Sequence, residues 1–197
     1  MAMAEYLRTG ARKIILIAPT TGLVDQQRRM AQERLALPDE VILAYTGDTP
    51  PAKREALWEK GRIIIATPQV IRNDAIKGLL DLSIVDLLIV DEAHHATGNH
   101  AYAQVGKLYT QARGEHGRVL AATASPGSNI RHISEVKTNL NAHNLDLTKR
   151  SEALVAPYDV DMEVHQHRLE LPPALKTLLQ PIEQHFEEEV AHLKRLG

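Results

Sequence analysis

"LLIVDEAHHATGNHAYAQV", residues 87–105, is the stretch that decides the fold. Four apolar residues, Leu87 to Val90, run straight into Asp91 and Glu92. A run without polar alternation reads as a strand buried on both faces, which is how a parallel sheet holds its strands. Such a strand delivers its terminal carboxylates to one edge of the sheet, where ligands of open α/β folds gather. There a carboxylate can hold Mg²⁺ against a nucleotide's phosphates, and its neighbour can take a proton from an attacking water. Asp-Glu at a strand end is equally an ordinary solvated turn, so the neighbouring segments decide between the two.

Working outward, four more β-branched runs have the same character: "RKIILIAP" (12–19), "EVILAYTG" (40–47), "GRIIIATP" (61–68) and "GRVLAATASP" (117–126). Together with "VDLLIVDE" (85–92) they predict five strands buried on both faces. Between them "LVDQQRRMAQERLAL" (23–37), "PPAKREALWEK" (50–60) and "AYAQVGKLYTQARG" (101–114) carry helical spacing. This alternation predicts an α/β fold: a mainly parallel sheet with helices on both faces. The last quarter differs. "DVDMEVHQHRLELP" (159–172) alternates like an edge strand, and residues 174–196 read as an apolar-striped helix bent or interrupted at Pro181.

Composition narrows the class. The chain has 197 residues, one Trp, one Phe and no Cys, so an aliphatic core is expected and a disulfide framework is excluded. The missing cysteines suit a cytoplasmic protein, and no apolar run approaches the ~20 residues of a membrane span. Residues 1–150 hold 19 Lys and Arg against 16 Asp and Glu, while residues 151–197 hold 4 against 9. The first part can meet a polyanion; the acidic tail is better suited to solvent or a basic partner.

The motifs then become specific. "DEAH" (91–94) is followed about thirty residues later, on the next strand, by "TAS" (123–125). Upstream stand "APTTGLVDQQ" (18–27), "YTGD" (45–48) and "IATPQVIRND" (65–74). In order and spacing this set resembles the DEAH-box form of the superfamily-2 helicases, across residues 14–130. "DEAHHATGNHAYAQV" and "ATASPGS" resemble more narrowly the archaeal Hef helicase–nuclease and its eukaryotic relative FANCM, with His95 where Arg is usual.

The resemblance implies a RecA-like first motor domain over residues 1–156. It also implies a strand and helix, residues 157–197, leading into an incomplete helical insert. Asp91 would hold Mg²⁺, Glu92 would be the hydrolytic base, and His94 would couple the ATP site to Thr123, Ala124 and Ser125. Pro19, Thr20, Thr46, Gly47, Thr67 and Pro68 would line a nucleic-acid track, the partner being forked or branched DNA. Thr20 and Thr67 are also expected helix N-caps. Arg28, Arg29, Arg72 and Lys77 would supply charge if they do not simply face solvent. His94, His95 and His100, and separately His165 and His167, lie close in sequence but match no metal-ligand spacing.

One element of such a site is missing. A phosphate loop reads G-x-x-x-x-G-K-[ST], and no GK[ST] occurs in the 197 residues; the one Gly-Lys, Gly106–Lys107, lies in a helical stretch. The start, "MAMAEYLRTGARK", reads as the end of the helix that would follow that loop. The expectation is therefore a helicase portion that lacks ATPase activity by itself. Its sheet would keep an unpaired edge open to self-association or to a companion chain. The competing expectation is a non-catalytic nucleic-acid-binding or protein-interaction module of helicase-like shape.

Overall fold

The computed structural model describes residues 2–126, 129–147 and 172–196. The chain divides into two units, Met1–Asp146 and Leu147–Gly197. The expected boundary at residue 156 and the expected strand over 159–172 fall outside the described residues, apart from Pro172, which precedes the last helix.

In the first unit the β-branched runs become five strands: β1 (Ile14–Ile17), β2 (Ile42–Tyr45), β3 (Ile63–Ala66), β4 (Leu87–Val90) and β5 (Val119–Ala121). All pairings are parallel, in the order β2-β3-β1-β4-β5. The register sets Tyr45, Ala66, Ile17, Val90 and Ala121 in one row across the sheet. Whatever follows each strand therefore emerges at the same edge.

The described residues of the first unit also form α1 (Ala2–Arg8), α2 (Thr21–Arg34), α3 (Pro51–Trp58), α4 (Pro68–Ile76), α5 (Ala101–Arg113) and α6 (Ile130–Leu140), and those of the second form α7 (Pro173–Leu196). Pro51 and Pro68 open α3 and α4 at positions where a missing N–H costs nothing. The Asn129 side chain accepts from Arg131 N at 2.9 Å and opens α6. Neither α4 nor α6 was expected as a helix from the sequence.

The sheet separates two cores. On one face Ile15, Ile17, Ile64, Leu88 and Val90 pack with Ile71, Tyr102, Val105, Tyr109 and Leu140. On the other, Leu16, Ile42, Ile63 and Ile65 pack with Val24 and Ala31 of α2. Each fully buried Ile contributes about 2 kcal/mol, so β1 and β3, buried at every residue, anchor the unit.

Two expectations need correction. The core is not purely aliphatic: Tyr45, Tyr102 and Tyr109 are among the largest fully buried side chains, and Trp58 is buried as well. Tyrosine enters an apolar interior when its hydroxyl finds an acceptor. Tyr45 donates to Arg54 O at 2.7 Å and Tyr109 to Val85 O at 3.1 Å. Second, β5 is not buried on both faces. It pairs only with β4 among the described residues, and Leu120 is 44% exposed.

In the second unit α7 continues through Pro181 without interruption. Its apolar stripe, Leu175, Leu178, Ile182, Phe186 and Leu193, is exposed. Among the described residues no helix is long and apolar enough to cross a membrane.

Candidate active site at one edge of the sheet

The edge beyond the strand row carries Pro19–Thr20, Thr46–Gly47, Thr67–Pro68, Asp91–His94 and Thr123–Ser125. Main-chain hydrogen bonds stitch its residues together: Thr67 N to Tyr45 O at 3.2 Å, Ala18 N to Ala66 O at 3.0 Å, Asp91 N to Ile17 O at 3.0 Å and Ala122 N to Val90 O at 2.9 Å. The order of the strands divides the edge in two. Pro19–Thr20, Thr46–Gly47 and Thr67–Pro68 follow the neighbouring strands β1, β2 and β3. Asp91–His94 and Thr123–Ser125 follow β4 and β5.

On the acidic half, Asp91 Oδ1 accepts from Glu92 N at 3.0 Å, which leaves Oδ2 with no hydrogen-bond partner among the described residues. A half-buried carboxylate with a free oxygen suits a hard divalent cation. Glu92 has φ 50° and ψ 48°, the left-handed region that a residue with a Cβ rarely adopts. That turn starts the single 3₁₀ turn Ala93–His95 and sets the His94 ring against β5. His94 Nδ1 lies 2.8 Å from Thr123 Oγ1 and 3.2 Å from Glu92 Oε2. Thr123 Oγ1 also accepts from Ser125 N at 3.1 Å. Glu92, His94, Thr123 and Ser125 thus form one chain of polar contacts, while Ala124 is the bend between its last two members.

Behind this chain the imidazoles of His95 and His100 stack at 5.4 Å, and His95 lies 4.1 Å from His94. Burial first, then the neighbouring His94 and His100, holds His95 below its ordinary titration range. Tyr102 is fully buried under this group, and its hydroxyl has no hydrogen-bond partner among the described residues. Burial, then the charges of Asp91 and Glu92, pushes its ionisation far up.

On the other half, Thr20 is the N-cap of α2, its Oγ1 accepting from Leu23 N at 3.3 Å. Thr67 occupies the N-cap position of α4 without a side-chain cap bond, leaving its hydroxyl available. Gly47 is exposed, and a Cβ there would meet nothing within 4 Å, so a ligand backbone can approach. Thr46 Oγ1 is 3.4 Å from Asp48 Oδ2. Pro68 is buried and shapes the turn from beneath.

The residues that hold these loops were not read from the sequence. Arg54 of α3 and Asp74 of α4 form a buried two-pronged pair, Nε to Oδ2 at 2.5 Å and Nη2 to Oδ1 at 2.7 Å. Arg54 Nη1 also donates to Thr46 O at 3.3 Å and to Thr49 O. One guanidinium thus fixes the loop after β2 to the helix after β3. The available signal was spacing: Arg54 and Trp58 are four apart, so both face the core.

Of the basic residues considered as charge donors, Arg28 pairs with Gln32 Oε1 at 3.2 Å and Arg72 with Asn73 Oδ1 at 2.7 Å. Lys77 is the C-cap residue of α4. His165 and His167 lie outside the described residues. Gly106 belongs to α5 and serves packing: a Cβ there would stand 2.3 Å from Asn139 O, where α6 crosses.

Similarity to known proteins agrees with this layout. A protein of Methanocaldococcus jannaschii, named as an ATP-dependent RNA helicase, is 37% identical over 197 residues, all of this chain and 25% of that protein. The DEAD-box ATP-dependent DNA helicase Fancm of Drosophila melanogaster is 37% identical over 150 residues, 74% of this chain and 10% of the relative. The Pyrococcus furiosus Hef helicase domain superposes with a TM-score of 0.75 at 33% identity, covering 100% of this chain and 41% of that one. The chain thus spans a quarter or less of the length of these two relatives. With residues 1–133 matching the DEAD/DEAH box helicase model, the chain belongs to the DEAD/DEAH box helicases.

Proposed function

We propose that this chain forms part of the first motor domain of an ATP-dependent DNA helicase or translocase acting on forked or branched DNA, in a cytoplasmic setting. The observation that carries the reading is the 2.8 Å contact between His94 Nδ1 and Thr123 Oγ1. It ties a strand ending in carboxylates to the neighbouring strand end. Names among the relatives favour DNA in one case and RNA in another. The Hef-like "ATASPGS" and "GNHAY" favour DNA.

In this reading Asp91 Oδ2 is the protein's oxygen for Mg²⁺, which when bound with ATP neutralises charge on the transferred phosphate. Glu92 takes the proton of the attacking water, and the Glu92–His94 contact holds that carboxylate in place. His94 passes the state of Glu92 to Thr123, Ala124 and Ser125. Pro19, Thr20, Thr46, Gly47, Thr67 and Pro68 touch the DNA backbone, through loops that feed helix N-termini and carry little base preference.

By themselves the 197 residues do not hydrolyse ATP in this proposal, because no GK[ST] cradle stands among them to hold the phosphates. The edge of β5 supports the companion-chain corollary. A cleft of about 610 Å³ runs beside it, lined by Leu120, Ile133, Val136, Leu140 and Leu145. A second copy or a companion polypeptide adds its strand there. Sedimentation showing only monomers at every concentration, with no companion captured, counts against this.

The deciding experiment is calorimetry of Mg·ATP binding with and without forked DNA, wild type against Asp91→Ala. Binding that Asp91→Ala abolishes sustains the motor reading. Heat from DNA but none from ATP, with or without a companion chain, favours the non-catalytic nucleic-acid-binding module, to which the missing GK[ST] also points.

A further inference from the structure

The opposite edge of the sheet, where the strands begin, carries a second constellation that the motor reading leaves unused. Asp86 N donates to Lys13 O and Leu88 N to Arg118 O, both at 2.9 Å, so the entries to β1, β4 and β5 stand side by side. A cleft of about 610 Å³ opens among them, lined by Tyr6, Arg12, Asp86, Arg113, His116 and Arg118.

Its charge is unbalanced. Asp86 is the one carboxylate in the lining. Its Oδ2 accepts from Arg12 N at 2.7 Å and its Oδ1 from Arg113 Nη2 at 3.3 Å. Arg113 is further engaged by Ser83 O at 2.7 Å, so it acts as a fixed cation in the wall. Arg118 donates only to carbonyls, Glu115 O at 3.0 Å and Gly117 O at 3.3 Å, which leaves its charge uncompensated. The Arg12 guanidinium has no hydrogen-bond partner, and neither Arg12 nor Arg118 has a carboxylate partner among the described residues. Three guanidinium groups thus share a single counter-charge.

The amides there are already taken: Gly10 N by Leu7 O, Ala11 N by Tyr6 O and Arg12 N by Asp86. Recognition falls to side chains, and guanidinium forks match the oxygens of a phosphate group. We propose that Arg12, Arg113 and Arg118 form a phosphate-binding site at the strand-entry edge, about 13 Å or more from the DEAH edge given four-residue strands. This inference does not rest on the motor reading.

The test is a titration of the 197-residue chain with inorganic pyrophosphate in the absence of metal, followed by backbone amide shifts in NMR. Shifts centred on residues 10–12 and 117–118 are expected, with affinity reduced about tenfold or more in Arg12→Gln/Arg118→Gln, as the loss of charge-assisted bonds requires. Both side chains are exposed, so the variant keeps its amide pattern. Arg8→Gln, paired with Glu5 and absent from the cleft lining, retains wild-type affinity. Shifts confined to the DEAH edge, unchanged affinity in the double variant, or an equal loss in Arg8→Gln would each overturn the site. A short thymidine oligonucleotide then separates the sources: displacement of pyrophosphate assigns the phosphate to a nucleic-acid strand, and failure to displace it assigns a free polyphosphate.

Discussion

His94 and Thr123 are 29 positions apart in sequence and 2.8 Å apart at Nδ1 and Oγ1. Ala93 N, donating to Ala122 O at 2.9 Å, runs beside this contact, so two strand ends are joined by main chain and side chain together. Thr123→Val removes the link to His94 together with the Ser125 N–Thr123 Oγ1 bond, leaves the main-chain link, and is expected to cost about 1–2 kcal/mol in urea unfolding. His94→Ala should cost a similar amount, and the double variant should fall short of the sum by about 0.5–1 kcal/mol. Strict additivity would mean the contact carries no energy in solution.

The Arg54–Asp74 pair predicts a different pattern, because both side chains are buried, at 5% and 1% exposure. Asp74→Ala leaves an uncompensated guanidinium inside the protein and should destabilise it by about 3–5 kcal/mol. Arg54→Met with Asp74→Leu removes both charges and should recover much of that loss. Trp58, the only tryptophan, is buried on α3 beside Arg54 and reports the unfolding by fluorescence. A double variant no better than the single one would show that the loop contacts of Arg54, to Thr46 O and Thr49 O, dominate.

Gly106→Ala tests the helix crossing. Alanine is the better helix former by about 1 kcal/mol, which alone would stabilise α5. The new Cβ, however, would stand 2.3 Å from the Asn139 carbonyl oxygen and 2.9 Å from Leu140 Cδ2. Backbone cannot yield as a side-chain tip can, and overpacking costs about 1–3 kcal/mol. The net expectation is a lower urea midpoint. A raised midpoint would mean that α6 shifts freely.

Stability should fall at both ends of the pH scale. His95 is held below its ordinary 6.5 by burial and by His94 and His100. Between its folded value and 6.5 the unfolded chain binds more protons, so stability rises with pH through that window and is lost as pH falls. His95→Gln should flatten this acid limb. Burial pushes Tyr45 up to about 12 from 10.0. Between those values the folded chain keeps a proton that the unfolded chain has released, so stability declines as pH rises above 10. Unfolding melts across both ranges, with phenolate absorbance for the tyrosines, check the two signs.

Much of the framework was readable because it is repetitive. The runs "IILI" and "IIIA" admit no exposed face, and their buried strands follow. The pairing of "DEAH" with "TAS" came from the resemblance to the helicases, and in the structure His94 Nδ1 lies 2.8 Å from Thr123 Oγ1. What escaped was set by tertiary position. The composition of β5 matches that of an interior strand; only its place at the end of the sheet order exposes Leu120. Arg54 was not singled out, since its partner Asp74 sits on another helix. The tyrosines went to the core because main-chain carbonyls met the hydroxyls of Tyr45 and Tyr109, which no linear pattern announces. Pro181 was read as a bend or an interruption, and α7 is not interrupted there.

The border between the two halves of the edge runs between β1 and β4, and the bond that crosses it there is an amide, Asp91 N to Ile17 O. A link made by a peptide group survives every side-chain exchange except proline, which alone lacks the N–H. Exchanging side chains along the border would change packing while leaving the conduit in place. An ester or a proline at position 91, which removes the N–H, would cut it.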